Sequence, residues 1–121
     1  VTKLSEKTEP SDIYLSINGP KAPSTADLEI LGDEIPTGRV VSIETFFVID
    51  KTTANKTIKI GFRRLGVDYY VERAAAGSGV YGISLDRPLI LVEGERPIAT
   101  VESPTLNDEC LLVARGPYLS E

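Results

Sequence analysis

The sequence predicts an all-β chain: one antiparallel β-sandwich preceded by an extended N-terminal arm. Three observations carry this. Val, Ile, Thr, Tyr and Phe cluster in short runs, Met is absent and no long Ala/Glu/Lys/Leu stretch occurs, which suits pleated strands. From Arg39 onward apolar residues alternate with polar ones, the period of a half-buried strand. The runs recur every 8–12 residues or so and are parted by Gly, Pro, Asn and Asp turns, the spacing of a sandwich or barrel. The 121 residues suffice for one hydrophobic core.

Residues 1–37 read as the arm. "VTKLSEKTEPSD" is polar and aperiodic, and "GPKAP" and "GDEIPTG" are turn or extended signals. Between them "DIYLSI" places Ile13, Leu15 and Ile17 on one face, a weak strand, while "ADLEIL" fits a helical turn or a strand. Burying the few apolar side chains of this segment does not offset the entropy of ordering it. The arm is therefore expected to be either disordered in isolation or fixed by strand addition to a sheet edge, its own or a neighbour's.

Residues 38–121 read as the sandwich. "RVVSIETFFVI" puts Val41, Ile43, Thr45, Phe47 and Ile49 on one face, and "DKTTANK" turns the chain. "TIKIGFRR" aligns Ile58, Ile60 and Phe62; "LG" makes a hairpin turn; "VDYYVERA" sends Val67, Tyr69 and Val71 inward and Asp68, Tyr70 and Glu72 outward. "ISLDRPLILVE" is a strand or strand pair, Gly94 breaks it, and "RPIATVE" and "ECLLVARG" complete six or seven strands. Residues 38–121 are expected to fold without the arm.

Composition narrows the function. The formal net charge is -5 and the only dense cationic spot is Arg63-Arg64 with Arg73 nearby, so a nucleic-acid binder is not expected. Histidine is absent, which removes Ser-His-Asp and Cys-His catalysis and nearly all zinc sites. The single cysteine, Cys110, lies in the apolar run "CLLVA" and reads as buried. No apolar run approaches 18 residues and no signal-peptide segment is legible, so no membrane partner is expected.

The acidic motifs read as turns. Glu93 and Glu95 flank Gly94 in "VEGERP"; a glycosidase pair could have this spacing, but a solvated turn explains it without chemistry. "ESPTLNDE" holds Glu102, Asp108 and Glu109 without the spacing of a calcium loop, and Asn107-Asp108 reads as a turn. "AAAGSGVYG" lacks the lysine of a phosphate cradle. No catalytic, cofactor or metal residue is assigned. An enzyme would need convergent carboxylates among Glu44, Glu72, Glu93, Glu95 and Glu102; a carbohydrate-binding module would need Tyr14, Tyr70, Tyr81 and Tyr118 exposed on one face.

Four segments in order, "VIDKTTANKTIKI", "GVDYYVE", "PLILVEGERPIATVES" and "LLVARGPYL", resemble small β-sandwich proteins of tailed-bacteriophage virions. The resemblance runs from Arg39 to Leu119 and rests on turn signals and periodicity. Its pattern has Asp after the turn glycine, where this chain has Glu95 followed by Arg96-Pro97. The resemblance implies a jelly-roll-like fold and a structural role as a capsid decoration or cement protein. A head–tail connector or tail accessory protein is the neighbouring reading, and a carbohydrate- or receptor-binding sandwich the next. It further implies no cofactor, assembly in a bacterial host cytoplasm, and the major capsid protein or neighbouring virion subunits as partners. A homo-oligomer is expected, a trimer being one arrangement. Partner contacts are expected from Ile13, Tyr14, Leu15 and Ile17 on the arm and from Tyr70 and Tyr81, because exposed tyrosines anchor interfaces.

Overall fold

In the computed structural model, residues 13–75 and 79–119 are described. Ten strands form: β1 (Ile13–Asn18), β2 (Leu28–Leu31), β3 (Val40–Ile43), β4 (Thr45–Asp50), β5 (Thr57–Arg64), β6 (Val67–Ala75), β7 (Gly82–Ser84), β8 (Leu89–Val92), β9 (Arg96–Val101) and β10 (Cys110–Pro117). A front sheet has the order β1-β10-β4-β7, a back sheet the order β2-β9-β5-β6, and β3 and β8 form a separate ladder. Every pairing is antiparallel. The fold is an all-β sandwich, and the chain passes between the sheets at β1–β2, β4–β5, β6–β7 and β9–β10.

The core lies between the sheets. Tyr14, Phe46, Val48, Leu112 and Ala114 come from the front, Ile30, Ile58, Ile60, Ala99 and Val101 from the back, and Ile35, Val41, Ile43 and Leu91 fill the end. The arm thus feeds both sheets: β1 pairs with β10 and β2 with β9, so residues 13–37 occupy edges of their own chain's sheets. The first twelve residues of the expected arm lie outside the described residues.

Two local features explain where the strand expectations fail. The apolar face expected to run from Val41 to Ile49 is interrupted at Glu44. Val41 and Ile43 are buried before it, Phe46 and Val48 after it, and Phe47 and Ile49 turn outward. Glu44 N–H donates to the Arg115 carbonyl at 2.9 Å where the chain leaves the β3–β8 ladder for the front sheet. One extra residue reverses every side chain that follows. The second correction concerns β6. Val67, Tyr69 and Val71, expected inward, are 51%, 47% and 48% exposed. They sit on an edge strand of nine residues, and the corresponding edge of the front sheet, β7, has only three, so no sheet of equal length covers them.

Gly61 and Gly116 are among the glycines that close backbone approaches require. A Cβ at Gly61 would stand 1.9 Å from the Tyr69 carbonyl oxygen, at the irregularity in the β5–β6 register. A Cβ at Gly116 would stand 1.7 Å from the Ser42 carbonyl oxygen, where β3 crosses β10. The "LG" hairpin forms as expected, with Leu65 and Gly66 at φ 50 and 78, the left-handed pair that matches strand twist.

Removing residues 1–37 would take Tyr14, Ile30 and Ile35 out of the core. Each buried isoleucine contributes roughly 1.5–3 kcal/mol, against about 5–15 kcal/mol for a whole domain. The 38–121 fragment is therefore expected to lose cooperative thermal unfolding, contrary to the sequence expectation, while a chain lacking residues 1–12 retains it. Circular dichroism melts of both fragments check this; a cooperative melt of 38–121 would contradict the packing argument.

Candidate functional site

Residues paired directly across an antiparallel ladder share a face, so the register defines the two outer surfaces. On the front sheet, Ile13, Leu15 and Ile17 lie opposite Pro117, Arg115 and Val113, while Leu111, Val113 and Arg115 lie opposite Ile49, Phe47 and Thr45. This face is apolar except for Thr45, Arg115 and, on β7, Ser84. Leu15 is 51% exposed and Ile17 59%; Phe47, Ile49, Leu111 and Val113 are half-buried among neighbours in their own sheet. Contiguous exposed apolar surface is a feature of interaction sites, which makes this face the candidate site.

The outer face of the back sheet is the opposite in character. Arg63 binds Asp68 at 2.6 Å and Glu29 at 2.9 Å, and Arg73 binds Glu102 at 2.8 Å. Lys59 stands 4.6 Å from the centre of the Tyr70 ring, whose hydroxyl meets Thr100 Oγ1 at 2.9 Å. Hydrogen bonding to Asp68, with Glu29 alongside, raises the Arg63 guanidinium above its usual range, and the Arg73 bond lowers the Glu102 carboxyl. Solvent-screened pairs of this kind add little to stability. Their significance is that this face meets water with its charges paired.

The structure distributes the residues expected at partner contacts. Ile13, Leu15 and Ile17 share the apolar front face. Tyr14 does not join them: it is 3% exposed, its hydroxyl donates to the Asp33 carbonyl at 2.6 Å, and its ring meets Tyr118 edge-on. Burial raises its phenol above the ordinary range. Tyr70 lies on the back face, and Tyr81 is 46% exposed just before β7. Tyr70 faces outward as expected; Tyr69 lies on the core side opposite Phe62 but stays 47% exposed, stacked on that ring at 5.2 Å along the open edge. The alternation places Phe47 and Ile49 on the face of Val41 and Ile43 and gives Leu111 and Val113 no face. The signal that marks them is the unbroken apolar run in "FFVI" and "CLLVA", which leaves no polar side for solvent.

The carboxylates do not converge. Glu95 is 2% exposed; it accepts from Val92 N–H at 2.7 Å and from Arg64 at 2.5 Å. It closes the Gly94 turn from inside and is not the solvated charge expected. Glu93 is exposed and accepts from Gly38 N–H at 3.0 Å. Glu102 pairs with Arg73, and Glu44 and Glu72 line separate hollows. No group of three or more potential metal ligands occurs among the described residues.

One buried acid pair was missed by sequence reasoning. Asp50 and Asp108 are both fully buried. Asp50 Oδ1 accepts from Thr52 and Thr53 N–H, while Asp108 accepts from Thr53 Oγ1 and Thr105 N–H. Asp50 Oδ2 alone lacks a partner among the described buried side-chain atoms, and a proton on Asp50 directed at Asp108 would satisfy it. Burial and that bond raise the Asp50 carboxyl. Asp108 moves down, because bonds from Asp50, Thr53 and Thr105 outweigh its burial. Cys110, beside the pair in β10, is buried and its thiol is pushed up to about 12 by desolvation, so it stays protonated and unreactive.

No protein-family model matches this chain, and no curated protein matches it in sequence.

Two outcomes follow from the buried acids. Stability from protonated Asp50 is full below the ordinary carboxyl range and is lost as pH rises through its raised folded value. Stability from ionised Asp108 is lost as pH falls through its lowered value. Asp50→Asn donates to Asp108 at every pH, so its melting temperature is expected to gain on wild type as pH rises; calorimetry across pH reads this, and parallel curves would contradict the shared proton. Glu95→Ala strips a partner from Val92 N–H and is expected to cost about 1–3 kcal/mol in urea denaturation. Glu93→Ala is expected to stay within about 0.5 kcal/mol.

Proposed function

We propose that this chain is a structural subunit of a virion, in the first place a capsid decoration or cement protein of a tailed bacteriophage. The observation that carries the reading is the contrast between the two outer faces. A sandwich with one apolar face and one charge-paired face is built to be a layer in a larger assembly, with the apolar side against protein and the other against water. The strand order β1-β10-β4-β7 against β2-β9-β5-β6 supports a jelly-roll reading, an architecture used by viral capsid and lectin domains. The resemblance of residues 39–119 to small virion sandwiches points the same way. On this reading the chain binds capsid or neighbouring virion subunits and is assembled in the host cytoplasm.

The carbohydrate-binding reading receives less support from the aromatic side chains. Tyr14 is in the core, Tyr118 lies beneath Arg39 at 3.9 Å and against Tyr14, and Tyr70 lies on the back face while Tyr81 precedes the front-sheet strand β7.

Mass spectrometry of gradient-purified virus particles from the source culture, with copy numbers, tests the proposal. Many copies per particle are expected for a decoration protein. A handful would move the assignment to the neck or tail, and absence from particles would overturn the virion reading.

A further inference from the structure

The front face needs an occupant, and three arguments bear on which. The first is composition. Residues 1–12 hold two aliphatic side chains, Val1 and Leu4, too few to cover a face of two six-residue ladders and a three-residue one. The second is area. At about 4.8 Å between strands and 3.4 Å per residue, the four strands span roughly 400 Å² of plane before side-chain relief. Two such faces in contact therefore approach the total of about 1,000 Å² that a specific interface needs.

The third argument is charge. The chain is acidic overall, at -5, yet the paired positions of the front face carry one charge, Arg115. Glu44 and Arg115 are both exposed and line the same hollow of about 120 Å³ at the end of the sheet. Neither enters an ion pair among the described residues. A two-fold axis running along the strands between β10 and β4 brings equivalent ends together and exchanges the two sides. It sets Arg115 of one copy over Glu44 of the other, twice, around an apolar centre at Phe47 and Val113. The face is thus complementary to itself, the condition for an isologous contact.

We infer that the front sheet packs face to face on the front sheet of a second copy, forming a two-fold dimer closed by reciprocal Arg115–Glu44 pairs. The inference rests on reading this face as an assembly surface and names its occupant. The dimer leaves both charge-paired back faces in water and both β6 edges, with Val67, Tyr69 and Val71, open to further subunits.

Sedimentation velocity of the full chain between about 1 and 100 µM, a range that reads micromolar affinities, tests it. Twice the chain mass is expected at the upper end. Leu15→Lys with Ile17→Lys changes only exposed positions and is expected to weaken self-association about 30-fold or more, the effect of losing an interface anchor. Arg115→Glu is expected to weaken it too, and Glu44→Arg added to Arg115→Glu to restore it, a rescue that a purely structural role would not give. Wild type at the chain mass throughout, or unchanged self-association in the double-lysine variant, would overturn the inference. Co-sedimentation with purified particles then separates the two readings. Where wild type stays at the chain mass, loss of particle binding in the double-lysine variant keeps the assembly face and rejects only the dimer, and unchanged binding rejects both.

Discussion

A two-layer sandwich can bury only one face of each sheet, and everything distinctive about this molecule follows from a front sheet that is apolar on both. Phe46, Val48, Leu112 and Ala114 point into the core, and Phe47, Ile49, Leu111 and Val113 point away from it. Antiparallel sheets normally resolve this by alternation, with polar residues on the solvent side. The back sheet does so, with Glu29, Lys59, Arg63, Arg73 and Glu102 on its outer face or rim. The front sheet does not, and the free energy of hydrating its outer side chains remains available to whatever covers them.

The same constraint organises the polar groups. Side chains that could satisfy themselves in water are instead used inside, at the ends of the sandwich, to pin segments that the ladders do not reach. Ser16 Oγ accepts from Asp33 N–H at 2.9 Å and Tyr14 donates to the Asp33 carbonyl, which ties the link after β2 to β1. Glu95 holds the β8–β9 turn to the end of β5 through Arg64. Asp50 and Asp108 hold the β4–β5 connection against the loop before β10. Apart from Asp50 Oδ2, these buried acceptors have donors assigned to them, as the cost of an unmade buried hydrogen bond demands. These acids are occupied in holding the fold, and the surface left without partners of its own is the apolar front face.

Much of the fold was legible because its signals are local. The Leu65-Gly66 and Gly94 turns, the buried pair Ile58 and Ile60, and the all-β class follow from turn chemistry and a period of two. What was not legible depends on distant chain. The reversal at Glu44 is set by where β3 leaves one ladder for another, and the exposure of Tyr69 by the three-residue length of β7. Burial of Glu95 requires Arg64, remote in sequence. The apolar outer face is half visible in the sequence: Leu15 and Ile17 are expected as contacts, whereas the alternation puts Phe47 on the face of Val41 and Ile43 and leaves Val113 unassigned, because a run such as "FFVI" does not say which side will be covered.

Hydroxyl-radical footprinting with residue-level readout measures directly whether the outer front face is covered when the protein assembles. Labelling of Leu15, Ile17, Phe47 and Leu111 is predicted to fall from the dilute to the concentrated or particle-bound state, while exposed Leu65, at the β5–β6 turn, stays unchanged. Equal labelling of both groups in every state would contradict the account, because the face would then be an apolar surface that nothing covers.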